Sequence, residues 1–346
     1  MAPLRNWSSS SPTFVLGGIR GLEASSPWVS LPFCFLYAMA ILGNTAVLLV
    51  IVKDHNLHKP MHLFLCMLAV SELGVSLSTL PTVLGVFLLD LQEIGLGACL
   101  SQMFFIHCFS IMDSGVLWAM ALDRFIAIYN PLQYATLLTA GRIALIGSGI
   151  AVKSIVLLVP LPLLMRRLPF CGANVLAHPY CLHPNLIRLP CADTTLNSLY
   201  GLFVLLCTFG LDSLFIVLSY ALILKTVLRI SSREGRLKAL NTCVSHICAV
   251  VVYYTPMIGL SMVYRFGWHT SPLVRSLLAH IYLLVPPLLN PIIYSIKTKE
   301  IRMVLLRIYK VALRFHTILI LAQVEGIVRQ DSKVPLTVLA FETGFA

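Results

Sequence analysis

Six charged residues, Glu72, Asp113, Asp123, Arg124, Lys153 and Asp212, interrupt runs that are otherwise apolar. An ionised side chain in hydrocarbon is expensive, so each implies a partner or a water-filled cavity, and such residues mark functional sites by default. Asp113 lies eleven residues, about three helical turns, before Arg124 on a related face, and Glu72 falls near the middle of the preceding apolar run. Two buried carboxylates facing one another would share a proton or a cation, so Glu72 and Asp113 are the candidate site for a proton or a sodium ion. No other cofactor is expected. Asp123 and Arg124 sit where the third run meets water. There a guanidinium can swing between an intramolecular acceptor and a docking partner, the chemistry of a two-state switch.

Two stripes point to a small amphiphilic ligand. Arg265 ends the sixth run, and helical spacing places Ile258, Ser261 and Met262 beneath it. The third run carries His107, Ser110, Ile111 and Ser114, beginning two turns below Cys99. A guanidinium holds a carboxylate bidentately, which makes Arg265 a candidate anion anchor; the alternative is that it faces interfacial water. Enzyme readings fail: the chain has no nucleophile elbow, Walker loop or HExxH motif, and no catalytic or metal residues are assigned.

Of ten cysteines, six lie in apolar runs, where they read as small packing residues. The other four share one side: Cys99 opens the third run, and Cys171, Cys181 and Cys191 follow at ten-residue intervals in a loop rich in Pro and His. Oxidising surroundings favour two disulfides with three connectivities open. A zinc site with His178 and His183 is a rival whose spacing fits no compact ligand pair.

The elements that position these groups are membrane helices. The chain is 58% hydrophobic and 11% charged, with a mean hydropathy of +0.88, far from the roughly 25% charge of soluble domains. Crossing a core of about 30 Å takes about 20 apolar residues. Seven spans are predicted, at 31–52, 61–89, 99–129, 141–164, 197–229, 238–264 and 272–296. The fold class is therefore an all-α membrane protein, a seven-transmembrane helix bundle. Cations cluster at Lys53 and Lys59, along 225–238 and along 297–310, whereas the 90–97 connection carries Asp90 and Glu93 and no Lys or Arg. The basic side is the cytosol and the N-terminus is extracellular. The net charge of +11 lies beside membrane ends, which suits anionic lipid and not nucleic acid.

Residues 1–30 form the extracellular N-terminus, with Asn6 in an Asn-Trp-Ser glycosylation triplet. Residues 31–296 form the receptor-like domain. Pro160 and Pro162, Gly210, and Pro286, Pro287 and Pro291 predict bends. Ile301, Val304, Leu305 and Ile308 recur at helical spacing among cations, predicting a short amphipathic interfacial helix over 297–310. The tail, 311–346, shows no clean periodicity and gets no role.

The segments FVLGGIRGLEASSPWVSLPFC at 14–34, GN at Gly43 and Asn44, LHKPMHLFLCMLAVSEL at 57–73, MALDRFIAIYNPLQY at 120–134, SY at Ser219 and Tyr220, KALNTCVSH at 238–246 and PPLLNPIIY at 286–294 resemble, in order, signatures of the olfactory receptors of the rhodopsin-like G-protein-coupled superfamily, in their class I or fish-like group. The resemblance covers about Phe14 to Lys310. It implies disulfides Cys99–Cys181 and Cys171–Cys191. It also implies coupling to a stimulatory heterotrimeric G protein, with Asp123, Arg124, Tyr220, Lys238, His246, Asn290, Pro291 and Tyr294 in the switch. Class I receptors are associated with water-soluble odorants, carboxylic acids among them, which favours Arg265 as counter-ion with His107, His183 and Ser261 around it.

The chain departs from the family's pattern at four positions. Glu72 and Asp113 stand where the family usually has Asp and Glu, so the carboxylate pair has its lengths exchanged, and Asn130 and His62 replace a usual Cys and Tyr. The expected function is an odorant receptor in the plasma membrane, with a small-molecule odorant, a G protein and membrane lipid as partners. The rivals are a transporter or channel, whose usual inverted repeats and broken half-helices are not found, and a receptor-like chain that does not signal.

Overall fold

The computed structural model describes residues 12–17, 27–171, 174–267, 270–296 and 298–331. Among them, seven helices are long and apolar enough to cross a membrane: Leu31–Lys53, Pro60–Leu88, Leu96–Tyr129, Ala140–Arg166, Thr195–Leu228, Arg233–Phe266 and Leu273–Ser295. They are called here the first to seventh spans. The third is the axis of the bundle: 67% of its most apolar window is buried inside the protein, against 22% for the fourth. The third therefore carries the side chains that must meet several partners, while the fourth shows most of its surface outward.

Local chemistry sets the ends and bends. The sixth span begins at Arg233 and not at Lys238, because Ser232 caps it, its hydroxyl accepting from the Gly235 N–H at 3.1 Å. Its first turns carry exposed Arg233, Arg236 and Lys238. The fourth span breaks between Leu158 and Pro160, as its prolines predict. The fifth contains a π turn over Leu206–Gly210, whose extra residue per turn resets the helix so that Asp212 and Ile216 both face inward. In the seventh, Pro291 cannot supply the N–H that would pair with the carbonyl of Pro287. Asn44 of the first span supplies it instead, its amide donating to that carbonyl at 2.8 Å. The proline is tolerated because a neighbouring helix completes the hydrogen bonding.

The extracellular face has a roof that sequence patterning does not show. Strands β1 (Thr13–Leu16), β2 (Glu93–Gly95) and β3 (Val175–Leu176) form one sheet in the order β2-β1-β3. Phe14 pairs with Ile94 in the antiparallel half, and Leu16 with Leu176 in the parallel half. The strand alternation of period two turns Phe14 and Leu16 down into the core and Val15 outward. Gly17 follows with no space to spare, since a Cβ there would meet the Leu176 carbonyl oxygen at 2.6 Å. Disulfides Cys99–Cys181 and Cys171–Cys191 hold the same roof to the third span and close the long loop on itself. With all four of these cysteines bonded, and no group of three or more His, Cys, Asp or Glu placed to hold a metal among the described residues, the zinc rival is set aside.

The helix after the seventh span starts at Lys299 and runs on to Asp331, well past Lys310. Ile301 and Leu305 are buried, and the helix climbs beside the first span in antiparallel register. The Tyr309 hydroxyl lies 3.0 Å from where a Gly43 Cβ would be. His316 stacks obliquely on Phe35 with ring centroids 4.3 Å apart. Apolar residues continue at 311, 313, 318 and 321 past the cationic stretch, which is why helix formation does not stop at Lys310. Asn6 and residues 332–346 lie outside the described residues.

Candidate functional site

Beneath the roof, spans three to six and the loop after the fourth enclose a cavity of about 880 Å³. His107 and Ile111 reach it from the third span, Leu158 and Leu161 from the fourth, Val204, Leu205 and Phe209 from the fifth, and Ser261, Tyr264 and Arg265 from the sixth. The loop adds His183, Ile187 and Arg188. Its inner end is apolar and its outer end polar and cationic, with no Asp or Glu in the lining among the described residues. The His183 N–H donates to Nε2 of His107 at 3.3 Å, so that nitrogen holds a lone pair and the proton of His107 sits on Nδ1. Gly201 is small for a reason: a Cβ would meet the His183 ring at 2.7 Å and push the loop off the fifth span. Burial, together with neighbouring His107 and Arg265, pushes the His183 imidazole down to about 3, so it is neutral at physiological pH.

Not every expected residue lines this cavity. Ile258 and Met262 face outward, 48% and 55% exposed. The inward line of the sixth span runs through Tyr253, Met257, Leu260 and Tyr264, so Ser261 and Arg265 flank it while Ile258 and Met262 fall on its far side. Ser110 is buried beside the bundle axis, its carbonyl accepting from the Tyr253 hydroxyl. Ser114 lies three residues below Ile111 and belongs to a polar chain under the cavity floor. It donates to Asp212 at 3.0 Å, and because its one proton is spent there, the Tyr254 hydroxyl must donate to it across 2.7 Å. Asp212 also takes the Lys153 ammonium at 3.0 Å, so this network ties together spans three, four, five and six. Arg188 and Tyr264 were missed by sequence reading. The only signal for Arg188 was a cation in a disulfide-bonded loop, whose path no periodicity reveals.

A second polar centre lies between spans two, three and seven. Glu72 and Asp113 are both almost fully buried. Ser71 donates to Asp113 and Asn290 to Glu72, and among the described residues Oε2 of Glu72 is buried with no hydrogen bond within ordinary distance. The chemistry of this donor set suits a proton or a small hard cation.

At the inner end, Arg124 donates from Nε to Asp123 Oδ2 at 2.8 Å, and the Tyr134 hydroxyl donates to the other carboxylate oxygen at 2.7 Å. The Leu117 carbonyl accepts from Nε2 of His246 at 2.9 Å, which leaves Nδ1 to accept from the Tyr220 hydroxyl at 2.7 Å. Ile223, Val227 and Cys243 pack together beside Tyr220, Phe125 and Ile128. This apolar plug closes the inner ends of the third, fifth and sixth spans against one another. Tyr294 points its hydroxyl at the Met120 sulfur at 3.9 Å, Pro291 abuts Gly43, and Lys238 stands exposed in the cytosolic extension of the sixth helix.

A family model described as olfactory receptor matches residues 33–311. The chain is similar to human olfactory receptor 51G2, 54% identical over 306 residues that cover 87% of this chain and 96% of that one. It is also similar to human olfactory receptor 51G1, 55% identical over 302 residues covering 87% and 94%, and to human olfactory receptor 51I2, 55% identical over 296 residues covering 86% and 95%. Seven spans, an outer cavity and these matches describe a multi-pass plasma-membrane receptor and not an enzyme, and the chain belongs to the class I group of the olfactory receptor family.

Proposed function

We propose that this receptor binds a small carboxylic-acid odorant in the outer cavity, with Arg265 as counter-ion, and activates a stimulatory heterotrimeric G protein that raises cyclic AMP. The observation that carries the reading is a guanidinium lining a cavity whose walls hold no carboxylate and whose inner end is apolar. A carboxylate meets the cation and the alkyl chain meets Leu158, Val204 and Phe209.

A ligand shifts the equilibrium only as far as it binds one state better than the other. Acid bound between Arg265 and the third span draws the outer end of the sixth span inward. Pro256 lies inside this helix and gives it a pivot, so its inner end swings the other way, through the Ser114, Asp212 and Tyr254 chain. That motion parts Cys243 from Ile223 and Val227 and frees Arg124 to leave Asp123 for the G protein. Glu72 and Asp113 hold a proton or sodium ion in the resting state, at the free Oε2 of Glu72.

The test is cyclic-AMP output against fatty acids and their matched alcohols and esters, with surface level monitored. Acid-only responses whose potency falls about a hundredfold in Arg265→Ala, at unchanged surface level, are expected. Undiminished acid potency in that variant would sink the counter-ion assignment.

A further inference from the structure

Arg265 is not the only cation at the outer end of the cavity. Arg188, in the turn after a short helix over His183–Leu186 of the long loop, lines the same space. It is fixed there by two contacts to the residue preceding Arg265: its NH2 donates to the Tyr264 carbonyl at 2.7 Å, and its guanidinium carbon lies 5.4 Å from the Tyr264 ring centroid. A guanidinium has five N–H donors in a rigid fork, and among the described residues the Arg188 guanidinium makes this one hydrogen bond. Neither Arg188 nor Arg265 is in an ion pair among the described residues.

Charge bookkeeping then narrows the ligand. His107 and His183 add no charge: Nε2 of His107 accepts a hydrogen bond and so carries no proton, and burial keeps the His183 imidazole neutral. The outer end therefore holds two positive charges and no negative one. A monocarboxylate neutralises one of them and leaves the other, half-buried Arg265 or exposed Arg188 at the open outer end, without an anion. A dianion neutralises both. The two guanidiniums come from different elements and each presents its own fork, which matches two separate carboxylates better than one compact centre.

We propose that the outer end of the cavity takes the headgroup of a short dicarboxylate bearing an apolar chain, with Arg188 as the second counter-ion beside Arg265; this rests on the acid reading of the cavity and narrows it.

The experiment compares cyclic-AMP dose–response curves for octanoate, 2-octylsuccinate, octyl phosphate and octanol in cells expressing the full receptor, wild type or Arg188→Gln, with surface level monitored. In wild type the succinate should be more potent than octanoate by about tenfold or more, the effect of one added charge-assisted pair. In Arg188→Gln the ratio of the two potencies should shrink to within about twofold. Equal potency in wild type, an undiminished ratio in the variant, or octyl phosphate acting better than the succinate would each overturn the proposal. If Arg188→Gln fails to reach the surface, Arg188→Lys takes its place: it keeps the charge without the fork, so a reduced ratio supports the assignment and an unchanged one overturns it. Silence toward every acid with a response to octanol is a different outcome, since it removes the acid reading itself.

Discussion

The two ends of this receptor treat arginine in opposite ways. At the inner end Arg124 is satisfied: Asp123 accepts from it, Tyr134 holds the other oxygen of that carboxylate, and an apolar plug of Ile223, Val227 and Cys243 lies beside it. At the outer end Arg188 and Arg265 face a cavity with no carboxylate in its walls. Arg265 is half-buried there and Arg188 is exposed at the open mouth. At one end the partner is built into the protein; at the other the cavity walls supply none among the described residues.

Removing the inner arginine should have the largest effect. Arg124→Ala is expected to abolish cyclic-AMP signalling while leaving odorant binding, measured with a labelled ligand on membranes; signalling that persists would mean the inner end is not the switch. Arg265→Ala comes next, with acid potency falling by about a hundredfold through loss of two charge-assisted hydrogen bonds. Between the two ends, Lys153→Met strands Asp212 and should cost about 3–5 kcal/mol, read as loss of surface receptor. The double variant Lys153→Met/Asp212→Asn should recover most of that surface level; no recovery would show that the pair acts as more than mutual neutralisation.

A subtler test uses pH. Burial lowers His178 and His183 from 6.5 to about 3 in the folded receptor, with Arg265 and His107 adding to the effect at His183, and Arg275 and His280 at His178. Below 6.5 the unfolded chain binds more protons than the folded one, so the stability these groups contribute is complete above 6.5 and is lost as pH falls toward 3. The melting temperature of purified receptor should therefore drop between pH 7.5 and pH 5, and the drop should shrink in His183→Gln; equal drops in both would remove this histidine from the account. At the bottom of the scale, Met262→Ala should change acid potency by less than about twofold, because an outward-facing side chain adds nothing to the cavity.

How legible all this was depended on the physics that wrote each part. The seven spans follow from apolar length, which survives any detail of packing. Asp123, Arg124, Glu72 and Asp113 stood out because charge in hydrocarbon is rare. His107, Ile111, Ser261 and Arg265 could be placed on helical stripes, yet the stripe method could not say which flank of the sixth span faces in, and so gave Ile258 and Met262 to the wrong side. Arg188 and the β1-β2-β3 roof were illegible for another reason. Strands of four, three and two residues are too short for alternation to register, and an irregular loop is positioned by its disulfides and not by a period.

The long helix that ends at Asp331 has a bearing on how receptors crowd together in the membrane. Through Tyr309 and His316 it occupies one flank of the first span between Gly43 and Phe35. A neighbouring receptor cannot use a flank already covered from within the same chain. Lateral association must then choose another face, such as the fourth span, which the bundle leaves largely uncovered.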